Sequence, residues 1–425
     1  MPLDLRRLLP TDLRADPYRR GGYWLFAGHV LTVWGIALSN VFLGLSILWS
    51  LPRRRPPLGW ARAAAILVPL GLYVIFFLVS ILFSLEPRTS LTELRDLLTL
   101  ATLPLALLWV RGERDVRRLV DLSIVLMVLL ALYGIVQYRI TDYGPLDNRI
   151  RGPFSHYMTF AGILLLGDFL LLGRMFTGDG WRRPWHWAAL AAVNTALFLT
   201  LTRGAWVAAG VTVTVALLVR ARRLFVLYLT AALVAGALFL ALAPEAWTTR
   251  IRSIADPRDG SNYDRLCMVQ AGFYMISERP FFGIGPRMVR ERYPIYRHPT
   301  APRREVSHLH NTFLQLAAER GLMSLAAYLW LMGAALALAY RGYRREVGDG
   351  GGRADLYLGV ILALVGFNLA GLFEANWCDT EVQRLVLFLL AIPVCLRPDQ
   401  PADPAVDRRD CPIPDRSARS ASFPP

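Results

Sequence analysis

Apolar runs of about twenty residues, repeated between Tyr23 and Leu396, constrain this chain more than any other feature. Ala63–Phe83, Leu119–Tyr138 and Leu224–Ala243 are three of them. Each is close to the roughly 20 residues a helix needs to cross about 30 Å of hydrocarbon. A soluble helix interrupts its apolar stripe with polar positions every turn; here the polar residues gather between the runs instead. Hydrophobic residues make up 55% of the 425 positions, and the mean hydropathy is +0.38. That balance excludes an ordinary soluble enzyme. The expected fold class is an all-α polytopic membrane protein.

The formal charge of +15 invites a nucleic-acid reading, which the placement of the charges argues against. The basic side chains are all Arg, with no Lys, and most fall in short loops between apolar runs. That is the distribution by which a membrane protein sets its orientation, so no nucleic-acid partner is expected. No cleavable leader is expected either: a charged stretch precedes the first apolar run and no A-x-A site follows it. The four cysteines, Cys267, Cys378, Cys395 and Cys411, are too few and too irregular for a disulfide framework. A bridge between Cys267 and Cys378 is conceivable but not expected.

Loop arginines supply a topology. Clusters at Arg6–Arg20, Arg53–Arg62, Arg111–Arg118, Arg174–Arg183, Arg220–Arg223 and Arg341–Arg353 are assigned to the cytoplasm. The loops near 85–95, 140–156, 202–204, 244–312 and 377–383 then face outward. Each run crosses once except the first, Tyr23–Leu51, which should enter and return as a hairpin around Ser39-Asn40. The count is about twelve helices with both termini inside. The expected division is a cytoplasmic segment 1–22, transmembrane helices one to nine over 23–243 and an outer loop domain over 244–312. Helices ten to twelve follow over 313–396, and 397–425 is a disordered cytoplasmic tail rich in Pro, Asp, Arg and Ser.

The outer segment holds eleven Arg against seven acids. Long loops escape the positive-inside rule, so this surplus points instead to an anionic ligand. Ser261–Asp264 resembles a capping box opening a helix that runs to about Arg279. Pro280, Gly283, Gly285 and Pro286 mark turns beyond it.

Three residues stand out as candidates. Arg203, between two apolar runs, is costly at a membrane boundary unless it pairs, snorkels or binds something. Arg265, near the start of the loop helix, combines a planar fork suited to phosphate with the anion-attracting helix terminus; pairing with Asp264 or Glu278 is the plainer alternative. His310 opens the helix that re-enters the membrane, and can accept a proton, hydrogen-bond a phosphate or simply pack at the interface. His308-x-His310 hints at a metal pair, but no acidic cluster accompanies it on the outer side, so no metal and no cofactor is expected.

The order of these motifs resembles the O-antigen ligase and polymerase superfamily of bacterial envelope glycosyltransferases over about residues 20–396. The matching stretches are Thr202-Arg203-Gly204-Ala205-Trp206, Arg265 through Ala271, Pro280-Phe281-Phe282-Gly283-Ile284-Gly285, and His310-Asn311 leading to Leu314, Glu319 and Gly321. Arg151-Gly152-Pro153-Phe154 and Gly371-Leu372-Phe373-Glu374 are similar to further family segments.

The resemblance implies a glycosyltransferase C-like architecture in the bacterial inner membrane, its active site facing the periplasm. It implies transfer of a glycan from undecaprenyl pyrophosphate to a sugar hydroxyl of lipid A core, without a metal and with inversion. Arg203, Arg265 and His310 would be catalytic, His310 as base or as pyrophosphate ligand. Asn311, Arg151, Arg287, Arg290 and Glu374 would bind substrate, with Arg292 a further phosphate contact and Glu319 a structural partner. The implied partners are the lipid-linked donor, the lipid A core acceptor and membrane lipid. An O-antigen polymerase, a protein oligosaccharyltransferase and a non-enzymatic flippase are the alternatives. A flippase should carry polar residues through the bilayer, where this chain offers chiefly Asp168 and Asn194.

Overall fold

The computed structural model describes residues 16–52, 60–140, 149–177, 180–220, 222–242, 245, 248, 256 and 259–396. Arg53–Arg55, Cys411 and the two terminal segments 1–15 and 397–425 lie outside the described residues. Among the described residues every regular element is helical.

The chain begins with α1 (Pro17–Leu31) and α2 (Ile36–Ser50), which pack as an antiparallel hairpin. The turn falls at Thr32–Gly35 and not at Ser39-Asn40 as expected. Ser39 lies inside α2, where its hydroxyl donates to the His29 carbonyl at 2.8 Å and its backbone carbonyl sits 3.0 Å from His29 Nδ1. Those bonds satisfy polar groups facing inward, which freed Ser39 from marking the turn. Next come α3 (Trp60–Leu82), three short helical turns over 87–100, α4 (Thr102–Trp109) and α5 (Gly112–Ile140). The central stretch is α6 (Tyr157–Met175), α7 (Pro184–Leu199), α8 (Arg203–Arg220) and α9 (Arg222–Leu242). Then follow α10 (Gly260–Glu278), α11 (Met288–Tyr296), α12 (Thr312–Gly348), α13 (Ala354–Ala370) and α14 (Thr380–Cys395).

Among the described residues four helices are long and apolar enough to cross a membrane: Ala63–Leu82 of α3, and α5, α6 and α12. Others are apolar but shorter, α2 having 15 residues, α13 17 and α14 16. The core is built around α6, whose residues from Thr159 to Met175 are all buried. It lies against α13 so closely that a Cβ on Gly173 would come within 2.5 Å of the Gly359 Cα. Small residues at a helix crossing allow this approach, and dispersion then holds it together. Asp168, buried on α6, accepts from Asn194 of α7 at 2.7 Å, so the two mid-bundle polar residues satisfy each other.

At one end of the bundle several arginines form ion pairs. Arg19 meets Asp115 at 2.5 Å, Arg117 meets Asp355 at 2.7 Å, Arg174 bonds Asp355 and Asp121, and Arg353 meets Glu346 at 2.6 Å. At the other end, residues 260–311 fold over the start of α12 with a small core of their own. Met268, Met275, Ile284, Met288, Tyr293 and Leu309 form it with Leu314 and Ala318.

Glycine makes that seam possible. Gly321 breaks α12 with φ +77°, a conformation essentially reserved for glycine. The turn at 280–285 lies in the break: Ile284 N–H donates to the Ala318 carbonyl at 2.9 Å, Gly285 N–H to Glu319 at 3.0 Å and Leu322 N–H to Pro280 at 2.8 Å. The Glu319 side chain accepts from Val289 N–H at 3.2 Å. The P-x-x-G-x-G and E-x-G stretches thus dock the outer segment onto α12.

Candidate functional site

The site begins where α7 turns sharply into α8. Leu201 holds a left-handed backbone, φ +52°, between the two helices. A branched residue there is strained, and the turn delivers Arg203 as the first residue of α8. A cation is disfavoured at a helix N-terminus. Arg203 is compensated by the start of α10: its guanidinium donates to Asp259 at 3.2 Å, Ser261 at 3.1 Å and Asn262 at 3.2 Å. Asp259, not Ser261, is the N-cap of α10, accepting from the Ser261 and Asn262 N–H groups. The helix therefore begins two residues earlier than the capping-box expectation placed it. One carboxylate thus caps α10 and tethers Arg203.

Arg265 sits one turn further along α10. Its neighbour Asp264 is taken by Arg303, at 3.2 Å. Among the described residues no hydrogen bond or ion pair is formed by the Arg265 guanidinium. Burial pulls its pKa below the usual value, the Glu374 charge partly restores it, and Arg203 lowers it again. An exposed arginine finds water; a half-buried one lacking a partner is a poised anion ligand.

His310 is the second strained residue of the site, with φ +49°. Asn311 behind it caps α12, its side chain accepting from Leu314 N–H at 2.9 Å and donating to the Leu372 carbonyl at 3.1 Å. Thr312 donates from its hydroxyl to the Glu374 carbonyl at 2.9 Å and from its N–H to Gly371 at 2.7 Å. These bonds strap the loop after α13 against the start of α12 and aim Glu374 at His310. His310 Nδ1 lies 3.0 Å from Glu374 Oε2, while Ala375 N–H donates to Oε1 at 3.0 Å. Burial alone would push the Glu374 carboxyl up. The hydrogen bond from His310 and the adjoining imidazoles outweigh it and hold the group below the usual range. An ionised Glu374 requires a proton on His310 Nδ1, which leaves Nε2 as the nitrogen available to the cavity.

Arg203, Arg265 and His310 line one cavity of about 150 Å³, with Arg149, Tyr157 and Arg303 among its other walls. Three of the expected candidates therefore converge although they lie on separate segments. Glu374 stands directly behind His310, and Asn311 shapes the helix start without facing the cavity. Arg151 does not line it: its side chain is exposed, and its backbone N–H is held by Gln137 at 3.1 Å. Arg287 points to Glu93 and Thr92, Arg292 pairs with Glu86 at 2.5 Å, and Arg290 is exposed on α11.

Arg149, two residues before Arg151, takes the position expected of the latter, its guanidinium 4.7 Å from the centre of the Tyr157 ring. Nothing in the local residue pattern separates the two arginines. Gly152 follows them with a left-handed backbone, φ +58°. Cys267, Cys378 and Cys395 are free thiols.

A largely apolar groove of about 730 Å³, with Asp168 and Asn194 among its lining residues, runs between α6, α7, α8 and α9. Trp206 lines it one turn after Arg203, so the groove and the basic cavity share the first turns of α8.

Helices of this length and apolarity, capped at one end by a basic, histidine-bearing cavity, define a membrane protein with a polar site at the bundle's edge. The family model for O-antigen ligase matches residues 187–329, and supports a place for this chain in the O-antigen ligase superfamily. The match runs from α7 to the middle of α12 and includes Arg203, Arg265 and His310. A comparison with curated proteins finds no match.

Proposed function

We propose that this protein is an O-antigen ligase, transferring a glycan from undecaprenyl pyrophosphate to a sugar hydroxyl of lipid A core at the periplasmic face of the inner membrane. The family match supports a ligase- or polymerase-type glycosyltransferase acting on a lipid-linked glycan. The observation that carries the finer reading is Arg265: a half-buried cation with no hydrogen-bond or ion-pair partner among the described residues, in a cavity shared with Arg149, Arg203 and Arg303. Four guanidinium groups around one small cavity suit a pyrophosphate, whose charge grows as the glycosidic bond breaks. The adjoining apolar groove suits the polyprenyl chain of the same donor.

In this mechanism the acceptor hydroxyl gives its proton to His310 Nε2 as its oxygen attacks the anomeric carbon. The bond from that carbon to the pyrophosphate oxygen breaks, the arginines hold the departing charge, and attack from the opposite face inverts the centre. Glu374 keeps the imidazole in the tautomer that leaves Nε2 free and stabilises the imidazolium that forms. No step calls for a metal. About twelve membrane crossings with both termini in the cytoplasm belong to the same proposal.

A strain lacking the gene and complemented with Arg265→Ala tests it. The variant should insert in the membrane yet leave lipid A core bare. Core carrying a single repeat would indicate a polymerase instead, and normal long-chain lipopolysaccharide would remove the assignment.

A further inference from the structure

Glu374 is flanked by two imidazoles, and the transfer chemistry uses one. His310 Nδ1 lies 3.0 Å from Oε2 and His308 Nδ1 lies 3.4 Å from Oε1, with the rings edge to face at 4.3 Å between centroids. One donor atom from each of the three residues falls within 4.8 Å of the others. Around a tetrahedral Zn²⁺ with bonds of about 2.0–2.1 Å, ligand atoms stand about 3.3 Å apart. Each carboxylate oxygen thus lies near that distance from one ring nitrogen, Oε2 from His310 and Oε1 from His308. Furthermore, His308 Nδ1 is buried with no hydrogen-bond partner among the described residues. A buried ring nitrogen aimed at a carboxylate without bonding to it lacks a structural explanation.

We propose that His308, His310 and Glu374 form a three-ligand site for a Zn²⁺-type cation, and that its occupation blocks His310. Two imidazoles and one carboxylate are the protein donor set of open zinc sites, and His310 also lines the cavity. Mg²⁺ and Ca²⁺ prefer oxygen ligands, and the nearby Arg265 and Arg303 repel hard cations that gain nothing from nitrogen donors.

The blocking step, which rests on the function proposed above, is a tautomer exchange. To offer its Nδ1 lone pair, neutral His310 must carry its proton on Nε2. The nitrogen facing the cavity then becomes a donor and can no longer accept the hydroxyl proton. The sequence concealed this set because its third ligand lies 64 residues after His310.

The test uses the full chain in lipid nanodiscs, stripped with a chelator and titrated with Zn²⁺ against a chromogenic competitor. Melting curves confirm that each variant is folded. One equivalent of Zn²⁺ should bind, unaffected by a hundredfold excess of Mg²⁺. His308→Ala should weaken binding at least tenfold, and His308→Cys, which restores a soft ligand, should recover most of it. No stoichiometric binding, or equal binding by His308→Ala, overturns the proposal. In the transfer assay Zn²⁺ should inhibit the wild type, and His308→Ala should need at least tenfold more. Zn²⁺ bound through His308 in a protein devoid of transfer would leave the metal site standing and remove the ligase reading. Transfer without Zn²⁺ binding would do the reverse.

Discussion

Replacing Glu374 with Gln is the perturbation whose outcome the geometry fixes most closely. The carboxyl is pinned at both oxygens: Ala375 N–H donates to Oε1 at 3.0 Å, and His310 Nδ1 meets Oε2 at 3.0 Å. In the amide, the backbone donor claims the oxygen, so the NH₂ occupies the Oε2 position and faces His310. An NH₂ there needs an acceptor, which forces His310 to carry its proton on Nε2. Loss of a charge-assisted hydrogen bond alone costs about 1.5–3 kcal/mol, or roughly 10- to 100-fold in rate. The wrong tautomer costs far more, about 10⁴-fold in hydrolases that use the same histidine–carboxylate pairing. Glu374→Gln should therefore lower kcat by roughly 10³–10⁴-fold, nearly as much as His310→Ala. The assay is turnover of purified protein with a lipid-linked glycan donor and lipid A core, read as product on a gel. Because Glu374 acts through His310, the double variant should be no slower than His310→Ala by more than about threefold. A Glu374→Gln enzyme retaining a third of wild-type turnover, or a double variant with additive losses, would refute the reasoning.

Further outcomes follow from the same geometry. Arg265→Ala should abolish transfer, by at least about 10²-fold, with an unchanged or slightly higher melting temperature, since no pairing is lost among the described residues. Arg203→Ala should lose activity and also roughly 1–3 kcal/mol of stability, because Asp259, Ser261 and Asn262 lose a common donor; equal melting temperatures for the two variants would contradict this contrast. Gly321→Ala places a Cβ within 2.1 Å of the Phe281 carbonyl at φ +77° and should cost at least roughly 2 kcal/mol, seen as early proteolysis between α11 and α12. Burial lowers His308 to about 4 from 6.5, so the unfolded chain binds more protons across that window. Its stabilising contribution is whole above pH 6.5 and is lost as pH falls toward 4. The melting temperature should drop over that range and drop less in His308→Gln; identical slopes would dismiss the shift.

Much of this arrangement was legible in the residues. Apolar runs gave the helical class because a bilayer tolerates few alternatives. Arg203, Arg265 and His310 stood out because each places a polar group where burial is costly. What stayed hidden depends on tertiary closure. The hairpin turn moved from Ser39 to Thr32–Gly35 because a buried His29 gave Ser39 a partner inside α2. Arg149, and not Arg151, lines the cavity, a difference that no local pattern marks. Arg287 and Arg292, expected as phosphate contacts, instead meet Glu93 and Glu86, a long-range pairing that no local pattern encodes.

The most direct test of the central claim is a reconstituted reaction in the presence of EDTA, containing only the purified protein, an undecaprenyl-pyrophosphate-linked glycan and lipid A core. Glycan on the core and free undecaprenyl pyrophosphate should appear one for one, and both should vanish in His310→Ala and Arg265→Ala. Full turnover by both variants, or movement of the donor across liposomes with no glycan transferred, would contradict the claim.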